Sequence, residues 1–465
     1  LALGVLTTLL AGALVAVALV PPTLPRYEAF APPAGAAPVA AMSPRRQHQR
    51  LVARARLLRA LQREGHPRGA RPALLPLRPQ LPPRAIGDSL LIGFYVNWDD
   101  NALASLKAHA ASMDWVIAEW AFIAPGGDSL RVAVDPQALY VVQGLPAAAR
   151  PRVLLMVSNV REGVGRFDPQ DASRLLADSL RRGAAARAVA ATVRRFGLAG
   201  ATVDFESLAD RDLPNVERFL HELRSALGPD LLLTHAVGSD VAGSWVARFA
   251  AVTDREILML YDEHYGTGEA GPVAGREWYA TEVRRLARVV PPAKLIAAIG
   301  AYGYDWSDAP GATGTALTIE EVWAAARTHG RQPLRDPQSG NPYLLWTDPD
   351  STDHVAWFLD AVTAAEQVQI ARAAGVTAHA IWRLGAEDPS LWRVLGRHGQ
   401  AAPLGALGVI DPGYGVEFAG TGELLSITAE PHPGRRTLRF ARDGTLQGDA
   451  IDTLPTPWVV ARTGA

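Results

Sequence analysis

The stretch Leu198-Ala-Gly-Ala-Thr-Val-Asp-Phe-Glu-Ser207 decides the fold. In it Ala201, Val203 and Phe205 alternate with Thr202, Asp204 and Glu206. Successive side chains of a strand point to opposite faces, so the apolar set packs one way against helices while the polar set points the other way. Two carboxyl groups then stand side by side on one face. Burying such a pair costs on the order of several kcal/mol unless something offsets it. Their proximity also raises at least one pKa, which a general acid working near neutral pH requires. The plainer alternative is a strand end with two solvated acids, since perturbed carboxylates also occur in structural networks.

On either side of this strand, short apolar runs alternate with helix-like segments, the pattern of repeated βα units around a parallel sheet. Runs at 90–98, 115–123, 152–158, 200–206, 231–237, 256–261, 294–302 and 377–384 give eight candidate strands, and segments 172–196, 214–227, 275–289 and 363–374 give helices. This is an α/β pattern, and eight units predict a (β/α)8 TIM barrel over residues 85–399, with catalytic groups gathered at the carboxyl ends of the strands. A doubly wound open sheet is the alternative, but no glycine-rich phosphate turn follows the first strand. The segment at about 305–360 is too long for a simple connection and carries Trp306, Trp323, Tyr343, Trp346 and Trp357. It is read as an inserted subdomain. Residues 405–465 show short alternating stretches such as 424–428 and 437–440, read as a small C-terminal β-rich module that is expected to continue beyond Ala465.

At 465 residues the chain exceeds what one hydrophobic core usually holds. A hydrophobic content of 48% with 20% charged residues is that of a globular protein, so disorder is excluded over most of the length. A formal net charge of -1 argues against a nucleic-acid surface, which needs clustered positive charge. Cysteine is absent, which removes disulfides and thiolate metal sites. Residues 1–20 form an uncharged apolar run long enough for a bilayer core of roughly 30 Å. The run ends in Val20-Pro21-Pro22 without a small-x-small cleavage pattern, so it is read as a transmembrane anchor in preference to a removed signal segment. Residues 21–84, rich in Pro, Ala and Arg, are read as a linker.

With a barrel assumed, the strand ends can be read together. The fourth offers Asp204 and Glu206, the sixth offers Tyr261 and Asp262 in Met259-Leu-Tyr-Asp-Glu-His-Tyr265, and the eighth offers Trp382 in Ala380-Ile-Trp-Arg-Leu-Gly385. Asn97 and Trp98, in Gly93-Phe-Tyr-Val-Asn-Trp-Asp-Asp100, are candidates to line the mouth. Of the twelve tryptophans, Trp98, Trp120 and Trp382 lie near strand ends and are candidate sugar platforms. This pattern resembles glycoside hydrolase family 18, whose fourth strand carries Asp-x-x-Asp-x-Asp-x-Glu, whose sixth carries Met-x-Tyr-Asp, and whose eighth ends in Trp. Ala199 and Thr202 stand where that family's first two aspartates belong, while Asp204 and Glu206 keep the last two. The Asp-Phe-Glu core, with a neutral polar residue at 202, is similar to spore-cortex-lytic members. Met156-Val-Ser-Asn159 departs from the Ser-x-Gly-Gly of the chitinases. The chain most resembles the family 18 module found beside polysaccharide deacetylase and family 2 glycosyltransferase domains in bacterial envelope proteins.

The resemblance implies a glycosidase acting on N-acetylglucosamine-containing polysaccharide, with the substrate's own 2-acetamido oxygen as nucleophile. Glu206 is then the proton donor and later the base that activates water. Asp204 orients the acetamido group, Tyr261 hydrogen-bonds its oxygen, Asp262 completes the polar lining, and Trp382 forms the floor beneath the sugar. No metal or cofactor is expected. The implied setting is a membrane-anchored protein whose catalytic domain lies outside the cytoplasm, with deacetylase and glycosyltransferase domains in the parent protein. Ala199 and Thr202 motivate an alternative, a glycan-binding module with weak catalysis. His235, His264 and His379 lack metal-ligand spacing and are read as structural. Asp388, ahead of Pro389, is read as a helix N-cap.

Overall fold

The computed structural model describes residues 89–161, 166–331, 333–389 and 391–395, together with four strands between residues 416 and 447. Eight parallel strands form the centre: β1 (Leu91–Val96), β2 (Trp115–Ile123), β3 (Arg152–Ser158), β4 (Gly200–Asp204), β5 (Leu232–Gly238), β6 (Arg255–Met259), β7 (Leu295–Gly300) and β8 (Ala378–Trp382). Each pairs with the next, and β8 returns to β1 through Leu91↔His379, Ile92↔Ala380 and Gly93↔Ile381. The sheet is therefore closed, as the (β/α)8 reading expects, and the open doubly wound alternative, which would leave two free edges, does not hold. Every strand lies within two residues, at either end, of a run picked out from the sequence. Strands buried on both faces read as near-continuous apolar runs, which is why they stand out.

The helices around the barrel are α1 (Asp100–His109), α2 (Pro136–Gly144), α3 (Pro169–Ala177), α4 (Ser179–Phe196), α5 (Leu213–Leu227), α6 (Gly243–Ala250) and α7 (Arg276–Ala287), with α8 (Ile319–His329) in the insertion and α9 (Ala361–Ala373) before β8. α5 buries Val216, Phe219, Leu220, Leu223 and Leu227, the i, i+3, i+4 stripe of a helix lying on a sheet. The single helix expected at 172–196 is two: Asp178 ends α3 and caps α4, its carboxylate accepting from the N–H groups of Leu180 and Arg181. α1, α2 and α6 were not among the expected helices; α1 buries only Ala102 and Leu106, too few to give a clear period. Asp388 precedes the short helix Leu391–Val394, and its carboxylate also reaches α9. Its Oδ2 accepts from the N–H of Ala361, the first residue of α9, at 3.0 Å.

Between β7 and β8 the insertion folds as a five-stranded antiparallel sheet, Gly303–Ser307, Thr315–Leu317, Leu334–Arg335, Pro342–Thr347 and Asp353–Phe358, packed on α8. Its own core holds Ile319, Val322, Trp323, Leu344, Trp346 and Phe358. The sheet starts at Gly303, where a Cβ would lie 2.5 Å from Phe358, so the chain leaves the barrel directly into the insertion. Strands Val416–Thr421, Leu424–Ala429, Arg436–Ala441 and Leu446–Gln447 form a separate antiparallel sheet. Among the described residues no helix is long and apolar enough to cross a membrane. The expected anchor at 1–20 and linker at 21–84 lie outside the described residues, as does the rest of 405–465.

Candidate active site

The inward face of β4 carries Thr202 and then Asp204. Thr202, where the resemblance would place an acid, shares a hydrogen bond with Thr234 of β5 at 2.8 Å between hydroxyls, both groups buried. The two neutral partners satisfy each other. Asp204, the last residue of the strand, is 3% exposed, and its Oδ1 accepts no hydrogen bond. Burial pushes its pKa up to about 7, with His235 acting in the opposite sense. Phe205 turns away and packs on Phe219 of α5 at 5.5 Å between ring centroids, which leaves Glu206 on the same side as Asp204.

The β3–β4 ladder ends at Ser158↔Asp204, so Glu206 stands beyond the sheet, and Ser207 turns the chain with φ 60. Burial of the Glu206 carboxyl, then the charges of Asp204, Asp262, Glu119 and Asp240, hold its pKa well above the ordinary carboxylic range. This shift favours the protonated form, the one able to donate.

Two and three residues past β6, Tyr261 and Asp262 face this pair. Asp262 adopts φ 62, and its Oδ1 accepts from the hydroxyls of Tyr302 and Tyr304, the latter at 3.0 Å. Burial raises the Asp262 pKa while the two phenols work against that rise by stabilising its charge. Burial, followed by the charges of Glu206, Asp204 and Asp262, pushes the Tyr261 phenol far up, so it remains a donor. Tyr261 stands edge-on to Tyr302 at 5.9 Å. Gly300 permits this packing, since a Cβ there would come within 3.1 Å of Tyr261. Trp382, the last residue of β8, is partly exposed and lies edge-on to Phe94 of β1 at 5.2 Å. Asp204, Glu206, Tyr261, Asp262 and Trp382 thus stand at or just past the carboxyl ends of β4, β6 and β8.

Three further residues complete the cluster and were not singled out in the sequence. Glu119 is the acid within the otherwise apolar β2 and is 4% exposed. Burial, aided by the charge of Asp204 and opposed by the hydrogen bond from Trp98, raises its pKa to about 7. A lone carboxylate in a fully buried strand was the available signal. Tyr302 and Tyr304 were visible as strand-end phenols in Gly300-Ala-Tyr-Gly-Tyr-Asp305, though nothing in the sequence tied them to Asp262.

The expectation for Trp120 needs correcting. Alternation places it on the opposite face of β2 from Glu119, and the pairing register slips between Glu119 and Ala121. Trp120 is 1% exposed, packs edge-on against Tyr95 and leaves no ring face for a sugar. Trp98 is 42% exposed, with its Nε1 donating to Glu119 at 2.9 Å and the Arg383 guanidinium 4.2 Å from its ring centroid. Arg383 in turn pairs with Asp99. One ring face is thus covered and the indole is held in place. Asn97 is half-buried and donates to the Ala133 carbonyl at 3.3 Å. His235 pairs with Glu256 at 3.0 Å, His264 bonds the Pro272 carbonyl, and His379 is fully buried. Among the described residues no three His, Asp or Glu side chains converge as metal ligands.

Known proteins resemble this chain over about half to two thirds of its length. The chain is 24% identical over 250 residues to the uncharacterized glycosylase YvbX of Bacillus subtilis, covering 52% of this chain and 73% of the relative. It is 23% identical over 261 residues to the cortical fragment-lytic enzyme of Bacillus anthracis, covering 52% of this chain and 59% of that one. The chain therefore spans little more than half of the latter relative's length. Among solved structures, the chitinase of Chromobacterium violaceum superimposes with a TM-score of 0.59 at 24% identity, over 66% of this chain and 97% of that one. The spore cortex-lytic enzyme SleL of Bacillus cereus does so with a TM-score of 0.58 at 17% identity, over 66% and 73%. At these identities the structural likeness is one of fold. Residues 163–387, which span β4 to β8 and the insertion, match the family model for Glycosyl hydrolases family 18, and this domain has cortex-lytic-type relatives.

Proposed function

We propose that the domain hydrolyses an N-acetylglucosamine-containing envelope glycan by substrate-assisted catalysis with retention of configuration. The observation that carries this reading is the pairing of Glu206, whose protonated form is favoured by burial and by neighbouring carboxylates, with Asp204, a buried acceptor whose Oδ1 has no donor. Leaving a buried acceptor unpaired costs about 1–3 kcal/mol. A substrate acetamido N–H reaching Asp204 would relieve that cost and turn the acetamido oxygen toward the anomeric carbon. Tyr261, a phenol that keeps its proton, would donate to the same oxygen. Glu206 would protonate the departing glycosidic oxygen and then, as a carboxylate, take a proton from the water that opens the oxazolinium ring. The negative surroundings of Asp204, Asp262 and Glu119 favour the positive charge that develops on the sugar. Trp382 would lie beneath the ring.

The choice of glycan follows the names of the relatives, a cortical fragment-lytic enzyme and a chitinase, which are both consistent with N-acetylglucosamine. The apolar run at 1–20 supports membrane attachment, and an envelope glycan as substrate would put the domain outside the cytoplasm. Thr202 and Ala199 favour a second reading, a glycan-binding module of low turnover, since the Thr202–Thr234 bond leaves no acid behind Asp204. Steady-state hydrolysis of N-acetylglucosamine oligomers separates the two. Turnover by the wild type that falls at least ~10²-fold in Glu206→Gln supports hydrolysis; saturable binding without turnover supports the module, and equal turnover in both proteins removes Glu206 from its role.

A further inference from the structure

We propose that Asn159 is a positioning residue for the acid: its side-chain carboxamide takes over from the β-ladder where the sheet ends and fixes the backbone of Glu206. The inference rests on the reading of Glu206 given above.

The last paired residues of β3 and β4 are Ser158 and Asp204. Past them the two chains part. Val160–Arg161 pairs instead with Arg166–Phe167, and Ser207 turns the other chain away. Glu206 would sit on an unsupported segment but for two bonds. Its N–H donates to Asn159 Oδ1 at 2.8 Å, and Asn159 Nδ2 donates to its carbonyl at 2.9 Å. A carboxamide offers one acceptor and one donor side by side, as a peptide group does, so it can stand in for a ladder partner. The two bonds also fix which amide atom is oxygen and which nitrogen. Asn159 is 2% exposed, and its own carbonyl accepts from the Asp168 N–H at 2.9 Å. The backbone of Glu206 cannot swing without breaking two sheltered hydrogen bonds, and the carboxyl keeps only its side-chain torsions. A misplacement of about 1 Å in a reacting group can cost ~10²-fold in rate, so this restraint bears on turnover.

Few side chains meet the requirement. Alanine leaves both backbone groups unpaired. An ionised aspartate still accepts from the N–H but turns a second acceptor on the carbonyl, whereas a protonated aspartic acid restores one donor and one acceptor. The molecule also contains its own control. Asn341, 1% exposed, makes the same two-point contact with Ala274, accepting from its N–H at 3.0 Å and donating to its carbonyl at 2.8 Å.

The test compares the full-length wild type with Asn159→Ala, Asn159→Asp and Asn341→Ala. Hydrolysis of N-acetylglucosamine oligomers should show Asn159→Ala losing about 10- to 100-fold in kcat, with KM moving by less than about threefold. Asn341→Ala should lose comparable thermal stability and keep its kcat. Asn159→Asp should match Asn159→Ala at neutral pH and recover toward wild type as acidification protonates the new side chain. Recovery of this kind also decides the matter where Asn159→Ala fails to fold. Equal kcat losses in Asn159→Ala and Asn341→Ala, or no recovery of Asn159→Asp at any pH, would overturn the assignment. A readout free of turnover is hydrogen exchange of the Glu206 amide in protein labelled with 15N-glutamate, the resonance being assigned by its loss in Glu206→Gln. Protection in wild type and Asn341→Ala with fast exchange in Asn159→Ala supports the restraint, and unchanged protection in Asn159→Ala overturns it. A wild type that cleaves no oligomer would sink the hydrolase reading alone, because exchange still decides for or against Asn159.

Discussion

Replacing Glu119 by Gln is expected to stabilise the protein at alkaline pH and to leave its stability unchanged in acid. Glu119 is 4% exposed, and burial, with the charge of Asp204, lifts its pKa from 4.5 to about 7. The folded state therefore holds this proton more tightly than the unfolded chain does. Below about pH 4.5 both states are protonated and the carboxyl carries no penalty. As the pH climbs, the unfolded chain releases its proton first, so stability falls through the window up to about 7 and is level above it. A rise from 4.5 to about 7, at 1.36 kcal/mol for each pH unit, corresponds to a loss on the order of 3 kcal/mol. Gln keeps an oxygen able to accept from Trp98 Nε1, now at 2.9 Å, and has no proton to lose. Urea unfolding of wild type and variant across this range measures the difference. The variant's advantage should be absent near pH 4 and approach ~3 kcal/mol near pH 8. Two curves running parallel over the whole range would refute the reasoning, because Glu119 would then titrate alike in the folded and unfolded states.

The pH dependence of turnover should follow the same cluster. If Asp204 acts as the anion and Glu206 as the acid, kcat/KM should fall about tenfold per pH unit below the Asp204 pKa of about 7, with the alkaline limb set by Glu206. A rate that stays flat down to about pH 5 would argue against an ionised Asp204. Trp120→Ala should cost about 3–5 kcal/mol of stability, as expected for truncating a buried aromatic, with oligomer KM unchanged. A raised KM with intact stability would return Trp120 to the sugar site.

Much of the barrel was legible because strands covered on both faces leave apolar runs that polar connections interrupt. Alternation at Thr202, Asp204 and Glu206 likewise told which side chains share a face. Within β2 the inward position belongs to Glu119, while Trp120, whose chemistry alone suggests a sugar platform, packs against Tyr95. Tyr302 and Tyr304 could not be linked to Asp262 from sequence, because they approach it from the link just past β7 and from the first strand of the insertion. Asn159 appeared only as a departure from a family pattern. Its bonds to Glu206 span 47 residues, and no local periodicity reports a contact of that kind.

The central claim is that the substrate's acetamido group, oriented by Asp204, supplies the nucleophile. Following cleavage of matched acetylated and deacetylated N-acetylglucosamine oligomers by proton NMR tests it most directly. Cleavage confined to bonds whose non-reducing-side sugar bears an acetamido group, with the retained anomer appearing first, is the predicted result. Equal cleavage of the deacetylated oligomer, or first appearance of the inverted anomer, would contradict it.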